Sequence, residues 1–224
     1  MFNTAIFDMD GVIVDSHSIH RQAWRDFFNS RGRLVSEQEL EFILDGRKRD
    51  EILRFFLGNL SPSELRDYGM QKDRMFAQCA ENMQLIEGVQ QFIQALGNSG
   101  VRRAVASSAG RVRVEVTLER FGLKREFDAV VTGEDVASGK PDPAIFQNAC
   151  RRLQGDPKTT LVIEDAISGV KGARAAGMKC MGIAEAARAH LLYKAGAHYV
   201  VPNFVGLKAN AISEVFDRNA PAGS

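Results

Sequence analysis

The sequence predicts a doubly wound α/β core, a parallel sheet with helices on both faces, carrying an all-helical insert near its start. Three observations predict it. Short apolar runs recur along the chain with helical stretches between them. Those runs lack polar alternation, as strands buried on both faces do. One long segment, residues 16–87, breaks the pattern with helical periodicity alone.

The first strand is Ala5-Ile6-Phe7, followed later by residues 103–107 (RAVAS), 129–132 (AVVT), 161–163 (LVI), 181–183 (MGI) and 199–201 (YVV). Helical stretches separate them at 112–121, 143–153 and 168–176. In a sheet of this kind, reactive groups belong at the carboxyl ends of the strands, so the polar residues after each run are the ones to weigh. In the insert, Ile19, Ala23, Trp24, Phe27 and Phe28 share a helix face, as do Leu40, Ile43 and Leu44, and then Ile52, Leu53 and Phe56. Ser61-Pro62-Ser63-Glu64 reads as a helix start, with Ser61 at the N-cap, Pro62 in the first turn and Glu64 closing a capping box. No strand is predicted in this segment. The chain therefore divides into a core of residues 1–15 and 88–224 and an insert of 16–87, with a frayed tail at Asn219–Ser224.

With 45% apolar residues in 224, the chain has ample material for a core, and its net charge of +1 is scattered. A nucleic-acid track or a basic membrane face is excluded on that ground, which leaves small molecules as the expected partners. Cys79, Cys150 and Cys180 show no paired spacing and read as free thiols in a reducing compartment. The four histidines form no zinc-ligand pattern. The N-terminal residues lack a basic then apolar leader, so a cytoplasmic location is expected, as a monomer or weak homodimer.

The densest chemistry follows the first strand. Phe7-Asp8-Met9-Asp10-Gly11-Val12 places two carboxylates two residues apart where the chain leaves the sheet. Like charges that close are costly unless a cation or proton lies between them. Alone, the segment also reads as an acidic surface turn. Further along, Ser107 and Ser108 end one strand, Lys140 lies in Gly139-Lys140-Pro141-Asp142-Pro143, and Glu164-Asp165 end another strand before Ser168-Gly169-Val170. Taken singly, Ser107 would pass for a helix N-cap and Lys140 for a solvated loop charge.

In that order, these four segments resemble the four motifs of the haloacid dehalogenase superfamily, across nearly the whole chain. The resemblance implies a Rossmann-like core with an inserted all-helical cap domain, and Mg²⁺-dependent phosphoryl transfer. Asp8 would be the nucleophile that forms an aspartyl-phosphate, and Asp10 the acid and base for the leaving group and the next acceptor. Ser107 and Lys140 would hold phosphate oxygens. Mg²⁺ would be held by Asp8, the carbonyl of Asp10 and Asp165, with Glu164 in support directly or through water. A dehalogenase is disfavoured, because the acidic pair and Asp10 suit metal-assisted phosphoryl chemistry. A non-catalytic phosphate-binding module would be expected to lack one of Asp8, Asp10, Lys140 or Asp165, and all four are present.

Within the superfamily, the insert is similar to that of the β-phosphoglucomutase and sugar-phosphatase branch. His20 and Trp24 in HRQAW, and Gly46 and Arg49 in the basic loop 46–49, match substrate-binding positions of that branch, with Ser108 and Arg111 as further candidates. Trp24 lies on its helix's apolar stripe and reads as core before ligand, His20 one turn earlier reads equally as a satisfied polar neighbour, and Lys72 is expected at the surface. One departure matters. Where the mutase carries Ser, Lys and Asn after the motif-two serine, this chain has Ala109, Gly110 and Arg111. The expected activity is hydrolysis of a small phosphorylated metabolite, most plainly a sugar phosphate, with β-phosphoglucomutase as the alternative.

Overall fold

The computed structural model describes residues 2–208 and 212; the expected tail at Asn219–Ser224 lies outside them. In chain order the elements are β1 (Thr4–Phe7), β2 (Val14–Asp15), α1 (His17–Asn29), α2 (Glu37–Ile43), α3 (Arg49–Leu57), α4 (Pro62–Cys79) and β3 (Gln84–Leu85). Then follow α5 (Val89–Asn98), β4 (Arg102–Ser107), α6 (Arg111–Arg120), β5 (Ala129–Thr132), α7 (Ala144–Arg152) and β6 (Thr160–Glu164). The last are α8 (Ile167–Ala175), β7 (Lys179–Ile183), α9 (Ala186–Ala195) and β8 (Tyr199–Val201). Each predicted core strand falls inside an observed one.

Six strands form one parallel sheet in the order β5-β4-β1-β6-β7-β8. From β1 the chain first builds outward through β4 and β5, then returns to add β6, β7 and β8 on the other side. That reversal opens a crevice beyond the carboxyl ends of β1 and β6. Side chains alternate between two buried layers. Ala5 and Phe7 of β1, Val105 of β4 and Leu161 and Ile163 of β6 enter one apolar cluster. Ile6, Ala104, Ala106 and Val162 enter the other. With both faces covered, the strands carry no polar register, which is why they read as continuous apolar runs.

The insert has its own apolar cluster, in which Trp24, Phe27 and Phe28 of α1 meet Leu40, Ile43, Ile52, Leu53, Phe56 and Leu65. The start of α4 has the predicted reciprocal cap: the Glu64 amide donates to Ser61 Oγ and the Ser61 amide to Glu64 Oε2, with Pro62 in the first turn. The expectation of no strand here needs correction. β3 pairs antiparallel with β2, Val14 against Leu85 and Asp15 against Gln84, so the segments entering and leaving the insert run side by side. Two residues are too few for an alternation to show in sequence. No helix among the described residues is long and apolar enough to cross a membrane.

Candidate active site

The residues at the carboxyl ends of β1, β4 and β6 meet the loop before α7. Asp8 follows β1, and its amide donates to Ile163 O at 3.0 Å. Lys140 is 1% exposed, and its ammonium donates to Asp8 Oδ1 and Glu164 Oε1, each at 2.5 Å, and to Ala106 O at 3.3 Å. Burial raises the Asp8 carboxyl well above its ordinary range; Lys140 opposes this, while Glu164, Asp165 and Asp10 reinforce it. Burial alone would lower Lys140, but its two carboxylates outweigh it and raise the ammonium instead. The lysine and the acid therefore stabilise each other in the ionised form.

Glu164 Oε2 accepts from the amides of Asp165 and Ala166, both at 2.9 Å, so both its oxygens are already engaged. It anchors the lysine and the turn after β6, and it lines the cleft together with Asp165. Asp165 Oδ2 lies 2.9 Å from His17 Nε2. Burial would lower the imidazole, yet its hydrogen bond and charge contact with Asp165 raise it. Gly11 allows this close approach: its φ is +78°, and a Cβ there would lie 2.2 Å from Asp165 Oδ2. Asp8 and Asp165 offer hard carboxylate oxygens to one cleft, and Asp8 feels the repulsion of Glu164, Asp165 and Asp10. That donor chemistry fits Mg²⁺, which keeps several waters and needs only one or two carboxylates. Among the described residues no three His, Cys, Asp or Glu side chains form a metal-binding group by themselves.

Asp10 lies at the centre of a second set. Its Oδ1 accepts from Ser16 Oγ at 2.7 Å and Arg113 Nη1 at 2.9 Å and lies 3.2 Å from His20 Nε2, while Oδ2 accepts from Arg113 Nη2 at 2.6 Å. Burial would raise its carboxyl, but Arg113 and then His20 hold it well below the usual range. On the far side of His20, Lys72 Nζ is 3.1 Å from Nδ1. Lys72 therefore donates to Nδ1, and the neutral ring presents Nε2–H to Asp10. Burial, then Lys72, lowers the His20 imidazole to about 3. Burial also brings Lys72 down to about 7.

The expected surface position of Lys72 is wrong. It is 3% exposed, over the rings of Trp24 and Phe76. Leu65, Gly69, Lys72 and Phe76 make one stripe along α4, so the helix phase that buries its neighbours buries the lysine too. Arg111 needs correction as well. It bonds Asp135 Oδ2 at 2.6 Å and does not line the cleft; Arg113 lines it instead. Two helix positions differ by about 200° around the axis, so only one of the pair points inward.

The remaining candidates are distributed as follows. Ser107 is buried at the end of β4, where its Oγ accepts from the Ala109 amide at 3.2 Å. Ser108 lines the cleft but donates to Gly46 O at 2.6 Å, tying the insert's loop to the core. Gly46 (φ +72°) lies against Lys140, where a Cβ would come within 3.4 Å of Cδ. Arg49 lines the cleft, paired with Asp73. Trp24 is 2% exposed and stacked on Phe28, so most of its ring belongs to the insert's core while one edge reaches the cleft. Sequence reasoning missed His17, Arg47, Asp73 and Arg113, all of which line the cleft. The cleft is open, about 700 Å³, with carboxylates on its floor and cations from the insert above.

A profile of haloacid dehalogenase-like hydrolases matches residues 5–183. The chain is 28% identical over 196 residues to validoxylamine A 7'-phosphate phosphatase of Streptomyces hygroscopicus subsp. limoneus, covering 82% of this chain and 86% of the relative. It is 29% identical over 236 aligned positions to β-phosphoglucomutase of Mycobacterium bovis, covering 90% of each. A crystal structure of β-phosphoglucomutase from Clostridium difficile superposes with a TM-score of 0.84 at 24% identity, over 97% of this chain and 98% of that one, which speaks for the fold. The chain thus belongs to the haloacid dehalogenase-like hydrolase family, in its phosphoglucomutase-like branch, and is an enzyme.

Proposed function

We propose that the chain is a Mg²⁺-dependent phosphatase that hydrolyses a small phosphorylated sugar or sugar-like metabolite through an aspartyl-phosphate on Asp8. The observation that carries this is the Asp8 carboxylate at the switch point of the sheet, gripped by a buried lysine and sharing one cleft with Asp10. Asp8 attacks phosphorus, forming one O–P bond as the ester P–O bond breaks, and the departing oxygen takes a proton from Asp10, which must leave Arg113 and be protonated before it can act as the acid. Water then attacks phosphorus and gives a proton to Asp10 as the O–P bond to Asp8 breaks, so that inorganic phosphate leaves, Asp8 returns to a carboxylate and Asp10 to its acid form. Lys140 offsets charge on the phosphoryl oxygens and favours the ionised form of Asp8 against burial, and Ser107 supports the turn that faces them. Asp8, Asp165 and the carbonyl of Asp10 would hold Mg²⁺, which when bound neutralises phosphoryl charge. Residues 16–87 act as a cap that excludes water and supplies substrate contacts.

The test is a phosphate-release screen over sugar phosphates, phosphoglycolate and nucleotides, with Asp8→Asn as the control. Asp8→Asn keeps the side chain's shape and removes the nucleophile, so turnover should vanish while substrate still binds. Retention of more than a small fraction of kcat, in protein free of deamidation, overturns the covalent route.

A second reading, β-phosphoglucomutase, is favoured by the likeness to that enzyme and by Arg49 in the cleft. Against it, Ala109 and Gly110 supply neither hydroxyl nor cation to a second phosphate.

A further inference from the structure

Lys140 is held from two sides. The core takes its ammonium, which donates to Asp8, Glu164 and the Ala106 carbonyl. The insert takes its backbone and stem. Lys140 lies in the segment between β5 and α7, and the start of α3 is laid along that segment. Glu51 Oε1 accepts from the Gly139 amide at 2.7 Å, one residue before the lysine, and Lys48 Nζ donates to Val136 O at 2.8 Å and Ala137 O at 3.2 Å. Gly139 is buried, and a Cβ on it would stand 2.8 Å from both Glu51 Oε2 and Lys48 Cγ, so the two segments approach this closely only because a side chain is missing. Gly46, in the loop leading into α3, makes the same kind of approach to the Lys140 stem.

Capping accounts for only half of Glu51. Its Oε2 accepts from the Lys48 amide at 3.4 Å, as a carboxylate in the first turn of a helix does. Its Oε1 leaves the insert and reaches across 88 residues of sequence to the core. A carboxylate accepting from an amide makes a charge-assisted bond, about twice as strong as a neutral one. Glu51 does not line the cleft, so this bond is not made for substrate. What it fixes is the backbone from which the lysine projects, and a displacement of about 1 Å at such a point is enough to lose much of a rate.

Resting on the phosphatase reading, we infer that Glu51 is a positioning residue for Lys140: through this one carboxylate the insert sets the lysine on Asp8, so the catalytic floor is complete only while α3 is docked on the segment before Lys140. The insert then does more than cover the cleft. It carries part of the mount of a core residue, and docking and lysine placement become one event. An undocked insert leaves Gly139 and the lysine stem unsupported, so the floor is slack while the cleft is open to water.

The experiment measures hydrolysis of fructose 6-phosphate and 4-nitrophenyl phosphate by wild type, Glu51→Ala, Glu51→Gln and Glu64→Ala, with folding checked by thermal melts. Glu64→Ala controls for capping, since Glu64 closes the same kind of cap on α4 from an exposed position within the insert. Glu51→Ala should lower kcat about tenfold on both substrates, the scale of one charge-assisted hydrogen bond, with KM changed less. Glu51→Gln still offers an oxygen to the Gly139 amide and should recover most of that loss. Glu64→Ala should stay within about twofold of wild type. A loss confined to fructose 6-phosphate would make Glu51 a sugar contact, and an equal loss in Glu64→Ala would make it a helix cap and nothing more; either overturns the inference. In a Lys140→Met background Glu51→Ala should cost little further, because its effect runs through the missing ammonium, and a second loss of about tenfold overturns the inference. NMR of the Lys140 ammonium in lysine-labelled protein gives a readout without turnover. Its signal should shift and broaden in Glu51→Ala and hold in Glu64→Ala; an unmoved signal in Glu51→Ala overturns the inference. If wild type cleaves neither substrate nor any other sugar phosphate, the phosphatase reading fails, while the ammonium signal still judges Glu51.

Discussion

Replacing Lys140 by methionine removes the cation that holds the catalytic floor together, which stands 5.1 Å from the centre of the Phe146 ring, and leaves the aliphatic stem nearly intact. The ammonium is 2.5 Å from both Asp8 Oδ1 and Glu164 Oε1, and the lysine and glutamate side chains are fully buried. Glu164 would keep its two amide donors, but Asp8 would lose the ammonium on Oδ1. Breaking a buried ion pair from one side costs about 3–5 kcal/mol. Against a total stability of about 5–15 kcal/mol, that is a large fraction. The sign with pH follows from the protons bound. Asp8 and Glu164 are already raised above ordinary carboxylates, and Lys140 is the main influence lowering them. Without it the folded protein binds more protons than the unfolded chain between the ordinary and the raised carboxylate values, so stability falls as pH rises through that window. Urea unfolding in EDTA should show a deficit of about 3–5 kcal/mol near pH 8 that shrinks near pH 5. Adding Glu164→Gln should recover part of it. A deficit below about 1 kcal/mol near pH 8, or one independent of pH, would refute the account of Lys140 as the compensating charge.

Removing divalent metal with EDTA should abolish phosphate release, with Mg²⁺ restoring it and Ca²⁺ failing to, since calcium's larger and looser shell misplaces the Asp8 carboxylate; full activity after exhaustive chelation contradicts the metal assignment. Lys72 is brought down to about 7 by burial, so the folded protein binds fewer protons than the unfolded chain and stability should rise from pH 7 toward 10. Chemical denaturation of Lys72→Met should lack that slope, and an unchanged slope would remove Lys72 as its origin. With β-glucose 1-phosphate and catalytic β-glucose 1,6-bisphosphate, inorganic phosphate should form faster than glucose 6-phosphate, read by paired phosphate and dehydrogenase assays. The reverse ratio would make the mutase the better reading, and Arg49→Ala should then depress the mutase rate severely.

Much of the core was legible in the sequence because it rests on local regularities. Strands buried on both faces must be apolar throughout, so Ala5-Ile6-Phe7 and its counterparts marked the sheet, and the polar residues after them marked where chemistry would gather. Ser61, Pro62 and Glu64 announced a helix start for the same reason, since a cap is made by residues adjacent in sequence. The β2–β3 pair escaped, because two residues on each side hold no period to read. What only the tertiary structure decided is how charges that lie far apart in sequence are matched. Lys140 meets Asp8 across 132 residues, and Arg113 meets Asp10 across 103. Helix phase alone could have buried Lys72 and turned Arg111 and Arg113 to different sides, but not shown what each would meet. Composition lists the ions; the order of strands and the rotation of each helix about its axis choose their partners, and those choices place the cations of this cleft.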